Sequence, residues 1–418
     1  KDGLALMKTG QENQKLWVDK EKDGRSWGYF YLGTKDDVTC AQGDAAEMRA
    51  YFMKEGDLKQ MRKSAEKRYA AFAQKLDMNS DFPQHLTAAF DGLYTMAYFG
   101  EDLRPYWNKD GKSSIEDLYA DAEKDYKEVM AKCYAFDRQL MADAYLAGGK
   151  EYAELCALAY RQSVSAFQMS EDSDGELLYF TPQVGPVDEY YPASPLYLRY
   201  NPDLVKAMLN PFFYYSESGK WGKPFPPHDL GGYPIVNGQT IEEAGNGLIM
   251  TAAIAKMEKN ASYAEKHWKT LTQWAEYLLE NGTDTGDQLT TDNFAGNCPH
   301  HANLSAKGVL GIAAYARLAE MLNKKEEAEK YMNAAGEMAK EWEMAAYAGD
   351  HYRLAFDQPD SWGMKYNLVW DRLLGLNLFP KRVIQKETDF YLTKMNEFGC
   401  PLDSRHSYTK VDWTVWTA

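Results

Sequence analysis

The chain has 418 residues, of which 45% are hydrophobic, so it is long enough to bury a large core. Its 62 acidic and 47 basic residues give a net charge of -15 without a basic stripe, which argues against nucleic acid as a partner. No apolar run approaches the roughly 20 residues of a membrane-spanning helix, so no transmembrane segment is expected.

Residues 1–55 are predicted to be rich in β-structure. KLWVD at 15–19, a turn at Asp23 and Gly24, and SWGYFYLG at 26–33 together have the pattern of a β-hairpin. An isolated hairpin is barely stable. We therefore interpret this segment as the tail of a β domain whose earlier strands precede residue 1, plus a linker; pairing with the helical part is the alternative.

From residue 56 to residue 418 the pattern predicts pairs of helices. Each pair has an amphipathic outer helix, with one apolar stripe, and an inner helix that is apolar nearly all round. The outer helices are predicted at 58–76, 116–146, 203–216, 262–280, 325–346 and 383–397. The inner helices are predicted at 85–100, 150–168, 242–258, 303–322, 362–378 and from near Lys410. Six pairs predict a mainly α fold, an (α/α)6 barrel of six helical hairpins, and the short last helix suggests that more chain follows residue 418.

The connections from outer to inner helices are long, at about 217–241, 281–302, 346–361 and 398–409. All four are expected at the N-terminal ends of inner helices, on one face of the barrel. Long loops in a compact domain are more often functional than idle. The sequence therefore predicts an active-site mouth on this face.

The first two long loops supply the strongest catalytic candidates. His228 and Asp229 precede an inner helix whose first turn contains Glu242 and Glu243, and Asp292 lies in the second loop among Thr, Asn and Gly residues. An inward-facing carboxylate at a helix start can act as a general acid or base, although it can also serve only as a helix cap. We predict that Glu243 and Asp292 are catalytic and that His228, Asp229 and Glu242 bind substrate.

The later loops add rim residues of mixed chemistry. Asp412 is the third predicted catalytic residue, and the further predicted substrate-binding residues are Trp362, Asp403, Arg405, Lys410 and Trp413. Acidic groups, an Arg and Trp faces on one rim suit a small polar substrate. Neither a metal site nor a cofactor is predicted, because the adjacent His300 and His301 do not project to one point and the five cysteines are scattered.

Several longer motifs together resemble the glutaminase A family of fungi and Bacteroidetes. They include PPHDLGGYP at 226–234, EEAGN at 242–246, LTTDNFAG at 289–296, WGMKYNLVWDRLLGLNLFP at 362–380 and PLDSRHSYTKVDWTVW at 401–416. The resemblance implies a secreted or periplasmic protein with a β-sandwich domain ahead of a six-helical-hairpin domain. It also implies hydrolysis of L-glutamine to glutamate and ammonia.

Three functions compete at this point. In a glutaminase-like hydrolase, Arg405 would hold the α-carboxylate of the substrate while Glu243 or Asp292 activates water. In an inverting glycoside hydrolase, Glu243 would act with Asp292 or Asp412, and Trp221, Trp362 and Trp413 would form sugar platforms. A non-catalytic binding or surface protein is the third alternative, and the oligomeric state is left open.

Overall fold

The computed structural model describes residues 3–10, 28–36, 38–59, 69–74, 78–79, 84–181, 184–230 and 239–418. The chain folds as two compact units, Lys1–Gly175 and Glu176–Ala418. The predicted domain boundary between residues 55 and 56 lies inside the first unit.

The first unit contains short strands and two helices. Its strands are β1 (Ala5–Gly10), β2 (Tyr29–Thr34), β3 (Val38–Gly43), β4 (Tyr69–Gln74), β5 (Thr87–Asp91), β6 (Met96–Tyr98), β7 (Glu101–Leu103) and β8 (Gln168–Glu171). Its helices are α1 (Ala45–Glu55) and α2 (Ile115–Ala166), with a 3-10 turn at Tyr106–Asn108.

The strands of the first unit pair antiparallel. β2 lies between β1 and β5, β3 pairs with β4, and β6 pairs with β7. The inner face of β2 packs on α2 through Tyr31, Ile115 and Tyr119, and the Tyr119 hydroxyl donates to the carbonyl of Thr87 at 3.1 Å. The strand predicted within residues 26–33 is therefore confirmed as β2, whereas residues 15–19 and the turn at Asp23 and Gly24 lie outside the described residues.

The first predicted helix pair is wrong wherever the structure describes it; residues 60–68 and 75–76 of its outer helix lie outside the described residues. Residues 69–74 form β4 instead of the end of an outer helix, and β5 and β6 occupy the segment predicted as the inner helix 85–100. β4 and β5 pair with β3 and β2, strands that lie far away in the sequence. Such distant pairing overrides local helical spacing, because strand preference depends mostly on tertiary contacts.

The second predicted pair is correct only in its outer member. Helix α2 covers the predicted outer helix 116–146 and continues to Ala166, with a break at Gly149, where φ is 82°. Beyond Gly149 its one buried residue is Ala153, and Leu155 and Leu158 are exposed. The predicted inner position of 150–168 is therefore wrong, because apolar composition does not by itself provide a packing partner.

The regular secondary structure of the second unit is almost entirely helical. It contains β9 (Leu177–Phe180), α3 (Val187–Tyr200), α4 (Pro202–Glu217), α5 (Thr240–Glu258), α6 (Ser262–Lys266), α7 (Trp268–Asn281), α8 (Ala302–Met321), α9 (Lys325–Ala346), α10 (Val369–Leu374), α11 (Lys381–Leu392) and α12 (Val411–Thr417). Two 3-10 turns lie at Asn293–Ala295 and Tyr366–Leu368.

Inner and outer helices alternate in this unit as predicted, except that the inner helix predicted at 362–378 is formed only by the 3-10 turn Tyr366–Leu368 and the six-residue α10. Fifteen consecutive residues of α5, from Ile241 to Ala255, are buried, and so is nearly all of α8, whereas α7 and α9 each bury one stripe. Helix α3 is a further inner helix that was not predicted. Its Pro192 and Pro195 argue against a helix by sequence rules, yet its Tyr190 and Tyr191 are fully buried.

The inner helices form a closed set of contacts. α3 packs on α5, α5 on α8, α8 on the turn before α10, and that turn on α12. The rings of Tyr191 in α3 and Trp416 in α12 meet at 5.2 Å between centroids, which joins the last inner helix to the first. Helices α5 and α8 approach closely at Gly245 and Gly311, where a Cβ on Gly311 would lie 3.2 Å from the Cα of Gly245.

The long connections run, as predicted, from the outer helices to the starts of the inner helices. Backbone hydrogen bonds link the later connections. The N–H of Ala302 donates to the carbonyl of Leu354 at 2.8 Å, and the N–H of Met364 donates to the carbonyl of Leu402 at 2.9 Å. In the described residues, these hydrogen bonds join the later connections to one another beside the N-terminal ends of the inner helices. In the part of the chain described here, no helix is long and apolar enough to span a membrane.

Candidate active site

Two acidic residues at the start of α5 make different contacts within the protein. Glu243 forms a hydrogen bond through Oε1 with Nδ1 of His228, and its Oε2 accepts from Nδ2 of Asn246 at 3.1 Å. The His228 side chain is 14% exposed and that of Glu243 is 1% exposed. The imidazole is therefore the member of this pair that a substrate can reach, while the carboxyl group orients it.

The His228 and Glu243 pair holds its proton more tightly than free side chains do. Burial acts to lower the pKa of His228, but the hydrogen bond with Glu243 and the charges of Asp188 and Asp229 outweigh it and raise that pKa to about 9. Burial raises the pKa of Glu243 to about 8, against the opposing hydrogen bond from His228. The pair therefore remains protonated at neutral pH and can donate a proton.

Glu242 is neutralised inside the core. Its Oε1 accepts a hydrogen bond from Nζ of Lys307, a fully buried lysine in α8 that also donates to Oδ1 of Asn246 at 2.8 Å. The same ammonium lies 4.1 Å from the ring centroid of Tyr191. Burial raises the pKa of Glu242, and the charge of Lys307 opposes that effect. Glu242 and Lys307 thus form a buried ion pair beside the proton-donating pair.

Asp292 is a buried carboxyl group with two donors. The Tyr366 hydroxyl donates to Oδ2 at 2.6 Å, and Nε1 of Trp413 donates to Oδ1 at 3.0 Å. Burial raises the pKa of Asp292 to about 6, even though the hydrogen bond from Tyr366 and the charge of Lys410 oppose it; the charge of Glu242 adds to the rise. Asp292 is therefore mostly ionised at neutral pH and can accept a proton.

Asp188, in the first turn of α3, was not predicted as a site residue. It is 7% exposed, and its Oδ1 lies 3.9 Å from Nδ1 of His228. Among the residues the structure describes, none donates a hydrogen bond to this oxygen. Asp188, His228 and Glu243 place their ligand atoms within 4.8 Å of one another, so these three residues have the composition of a metal site. In the present arrangement, Nδ1 of His228 is already hydrogen-bonded to Glu243, a bond that a metal ion would have to replace.

Of the remaining predicted site residues, Lys410, Asp412 and Asp229 carry charges at or near the site. Lys410 lies near the site: its charge acts on Asp292 and on Glu189, and its Nζ is 3.5 Å from Asp412 and 4.9 Å from the ring centroid of Trp413. Asp412 lies at the partly exposed start of α12 and pairs with Lys410. Asp229 is buried and its charge acts on His228.

Arg405 and Asp403 form a pair of their own. The guanidinium group donates to both carboxylate oxygens of Asp403, at 3.0 and 2.6 Å, and to the carbonyl of Gly296 at 2.5 Å. Its hydrogen bonds are thus largely used to hold two loops together. Trp362 is half-buried and packs against Phe390.

The tryptophans expected as sugar platforms are mostly part of the core. Trp413 is fully buried and stacks on Tyr366 at 4.0 Å, and Trp221 is buried against Tyr215 and Phe225. Neither presents a free face to a ligand in this arrangement.

Lys307 could have been found from the sequence. It is the one charged residue in the otherwise apolar or small run ANLSAKGVLGIAAYA at 302–316, a helix predicted to be buried all round. A charge on such a helix requires a buried partner. Asn246 lies three residues after Glu243, a spacing that places both on one helix face. Asp188 offered no comparable signal, because α3 itself was not predicted.

Comparison with known proteins gives two matches to families. A family model described as the Glutaminase A six helical-hairpin domain matches residues 149–418, and a model described as a domain of unknown function matches residues 1–143. Glutaminase A of Aspergillus oryzae is 30% identical over 451 aligned residues, which cover 100% of this chain and 65% of that protein. A probable glutaminase of Arthroderma benhamiae is 24% identical, covering 100% and 62%. The chain thus spans less than two thirds of the length of these curated relatives.

Solved structures give weaker matches. A bacterial glucoamylase complexed with acarbose has a TM-score of 0.48 at 13% identity, covering 92% of this chain and 60% of that one. A family GH92 inverting mannosidase from Bacteroides thetaiotaomicron has a TM-score of 0.39 at 12% identity, covering 100% and 56%. At these levels of similarity neither enzyme informs on the reaction of this chain.

Proposed function

Because this chain belongs to the glutaminase A family, we propose that it is a glutaminase-like hydrolase that converts L-glutamine and water into L-glutamate and ammonia. Membership of the family also confirms the predicted fold class, a mainly α (α/α)6 fold of helical hairpins. Location in the periplasm or outside the cell stays a prediction from the family resemblance.

The proposal is carried by a carboxylate that can accept a proton, Asp292, and a pair that can donate one, His228 and Glu243, with the charge of Glu242 acting on both Asp292 and Glu243. The pKa of Asp292, about 6, leaves it mostly ionised at neutral pH. The pKa values of His228, about 9, and Glu243, about 8, keep this pair protonated at the same pH. Groups whose pKa values are moved to opposite sides of neutrality suit general base and general acid roles. Amide hydrolysis requires both, since water must lose a proton and the leaving nitrogen must gain one.

In the proposed reaction, Asp292 removes a proton from a water molecule as its oxygen bonds to the γ-carbonyl carbon of glutamine. The resulting tetrahedral intermediate loses its amide nitrogen when the C–N bond breaks, and the His228 and Glu243 pair delivers a proton to that nitrogen. Ammonia and the γ-carboxyl group of glutamate are the products. Proton transfer from Asp292 back to the pair, directly or through water, restores the starting state.

The α-carboxylate of the substrate needs a cation at the mouth. Arg405 was predicted for this role, but its guanidinium is held by Asp403 and Gly296. Lys410 is more exposed than Arg405, its ion pair with Asp412 is long at 3.5 Å, and its charge acts on Asp292. We therefore assign the α-carboxylate to Lys410 in this proposal.

The glycoside hydrolase alternative would use the same acid and base on a sugar. The burial of Trp413 and Trp221 in the core removes two of the three platforms expected for it and leaves the half-buried Trp362. A direct test incubates the wild-type protein with L-glutamine and, in parallel, with a panel of aryl glycosides. Release of ammonia without release of the aryl group supports the proposal. Release of the aryl group without ammonia overturns it in favour of a glycosidase. Release of neither product favours the binding-protein alternative.

A further inference from the structure

The charges around His228 are negative on balance, because the carboxylates of Asp188 and Asp229 both act on its single positive charge while Glu242 is paired with Lys307. Asp188, Asp229 and Glu242 all influence the pKa of His228 or of Glu243, and the buried ammonium of Lys307 is already taken by Glu242. Burying several negative carboxylates together costs free energy unless a cation compensates their charge. The site therefore favours a ligand that brings a positive group.

Asp188 is the carboxylate best placed to receive that group. Its Oδ1 is buried, lies 3.9 Å from Nδ1 of His228, and accepts no hydrogen bond from any described residue. A buried acceptor without a donor is costly, and a bound donor removes that cost. A neutral sugar hydroxyl would supply a hydrogen bond alone, whereas an ammonium group supplies a hydrogen bond together with a positive charge closer than that of His228, whose Nδ1 is 3.9 Å away.

We infer that Asp188 binds the α-ammonium group of the substrate, so that the site selects free α-amino acids over compounds that carry only the amide. This inference rests on the proposed function and names the group that determines its specificity. The geometry agrees with the size of glutamine, whose two nitrogens are separated by a chain of four carbon atoms spanning about 5 to 6 Å. Asp188 and Glu243 have ligand atoms no more than 4.8 Å apart, which lets one glutamine reach both Asp188 and the proton-donating pair.

The test compares two ligands that differ only in the α-amino group, L-glutamate and glutarate, by isothermal titration calorimetry. The proteins are the wild type, Asp188→Asn, and Asp203→Asn as a matched control. Asp203 is also a first-turn aspartate, in α4, but it is exposed and pairs with Lys206. Calorimetry at one pH reports binding without requiring turnover, so a failure of hydrolysis does not obscure the result.

We expect Asp188→Asn to weaken L-glutamate binding by at least about 30-fold, to leave glutarate binding within about threefold, and Asp203→Asn to change neither. Equal weakening of both ligands would overturn the inference, since it would mean that Asp188 only maintains the site. No weakening of either ligand, or no binding of L-glutamate to the wild type, would also overturn it. The same titration in EDTA is expected to be unchanged; loss of L-glutamate binding there would show that the three residues hold a metal ion instead. Failure of the proposed function is separate, because it appears as absence of ammonia release from glutamine.

Discussion

Nδ1 of His228, a loop residue, and Oε1 of Glu243, in the first turn of α5, are joined by a partly buried hydrogen bond. The carboxyl group fixes the orientation of the imidazole and stabilises its protonated form. Asn246 holds the second oxygen of Glu243 from the same helix. The orientation of His228, in the first long connection, therefore depends on Glu243 and Asn246 in the inner helix α5.

Replacing Glu243 by Gln should therefore act on His228. We expect kcat for glutamine hydrolysis to fall by about 100-fold or more, because the imidazole loses both its orientation and its raised pKa. The alkaline limit of activity should move to lower pH, toward the ordinary pKa of histidine, about 6.5. A pH profile of kcat/KM for the variant and the wild type measures this shift; an unchanged alkaline limit would show that the pair does not donate the proton.

The wild-type enzyme should have a bell-shaped pH dependence. Asp292 must be ionised to accept a proton, and burial raises its pKa to about 6, so activity should fall as the pH drops through about 6. The pair must be protonated to donate, and its pKa values of about 8 for Glu243 and about 9 for His228 place the alkaline loss in that range. Activity that still rises below pH 5 would contradict the role of Asp292.

Lys410 is expected to affect substrate binding more than chemistry. Replacing it by Gln should raise KM for L-glutamine by about tenfold and change kcat little, because the α-carboxylate loses its cation. Arg405→Gln is the comparison, and it should lower the melting temperature by leaving the buried Asp403 without its partner. A larger increase of KM in the Arg405 variant would indicate that Arg405, and not Lys410, binds the α-carboxylate of the substrate.

Lys307 should be important for stability as well as for the site. Lys307→Met leaves the buried Glu242 without its cation and should cost about 3 to 5 kcal/mol of the free energy of unfolding. The double variant with Glu242→Gln removes both charges and should recover part of that loss. Chemical denaturation of the three proteins measures both quantities, and an additive double variant would mean that the two residues do not interact.

The close approach of α5 and α8 can be tested with glycine substitutions. Gly311→Ala would place a Cβ 2.8 Å from Cδ1 of Leu278 and 3.2 Å from the Cα of Gly245, and should destabilise the protein by about 1 to 3 kcal/mol. Gly336→Ala in α9 is the control: a Cβ there meets no atom within 4 Å, and the change should stabilise the helix by about 0.5 to 1 kcal/mol. Thermal unfolding of both variants gives the comparison.

The parts of the fold that were predicted correctly are those determined by local pattern. Helices α5 and α8 are apolar nearly all round, and α7 and α9 have one apolar stripe, so their positions follow from spacing alone. β4 and β5 were missed because their partners β3 and β2 are distant in the sequence. α3 was missed because proline rules are statistical and tertiary packing overrode them.

The same division applies to the site. The positions of Glu242 and Glu243 at the start of an inner helix, and of Asp292 in the long loop before the next inner helix, follow from the sequence, whereas their catalytic and binding roles stay predictions. Their different partners could not be predicted, since Lys307, Tyr366 and Trp413 come from other parts of the chain. Whether a carboxyl group is ionised at neutral pH depends on those partners and on burial, neither of which is visible in its local sequence.

The most direct test of the account is the release of ammonia from L-glutamine by the wild type, Asp292→Asn and Glu243→Gln, measured side by side at neutral pH. We predict ammonia and glutamate in equal amounts from the wild type and a loss of about 100-fold or more in each variant, with the melting temperatures showing that both variants are folded. Wild-type rates in both folded variants would contradict it, because hydrolysis would then take place without the base and the proton donor assigned to this site.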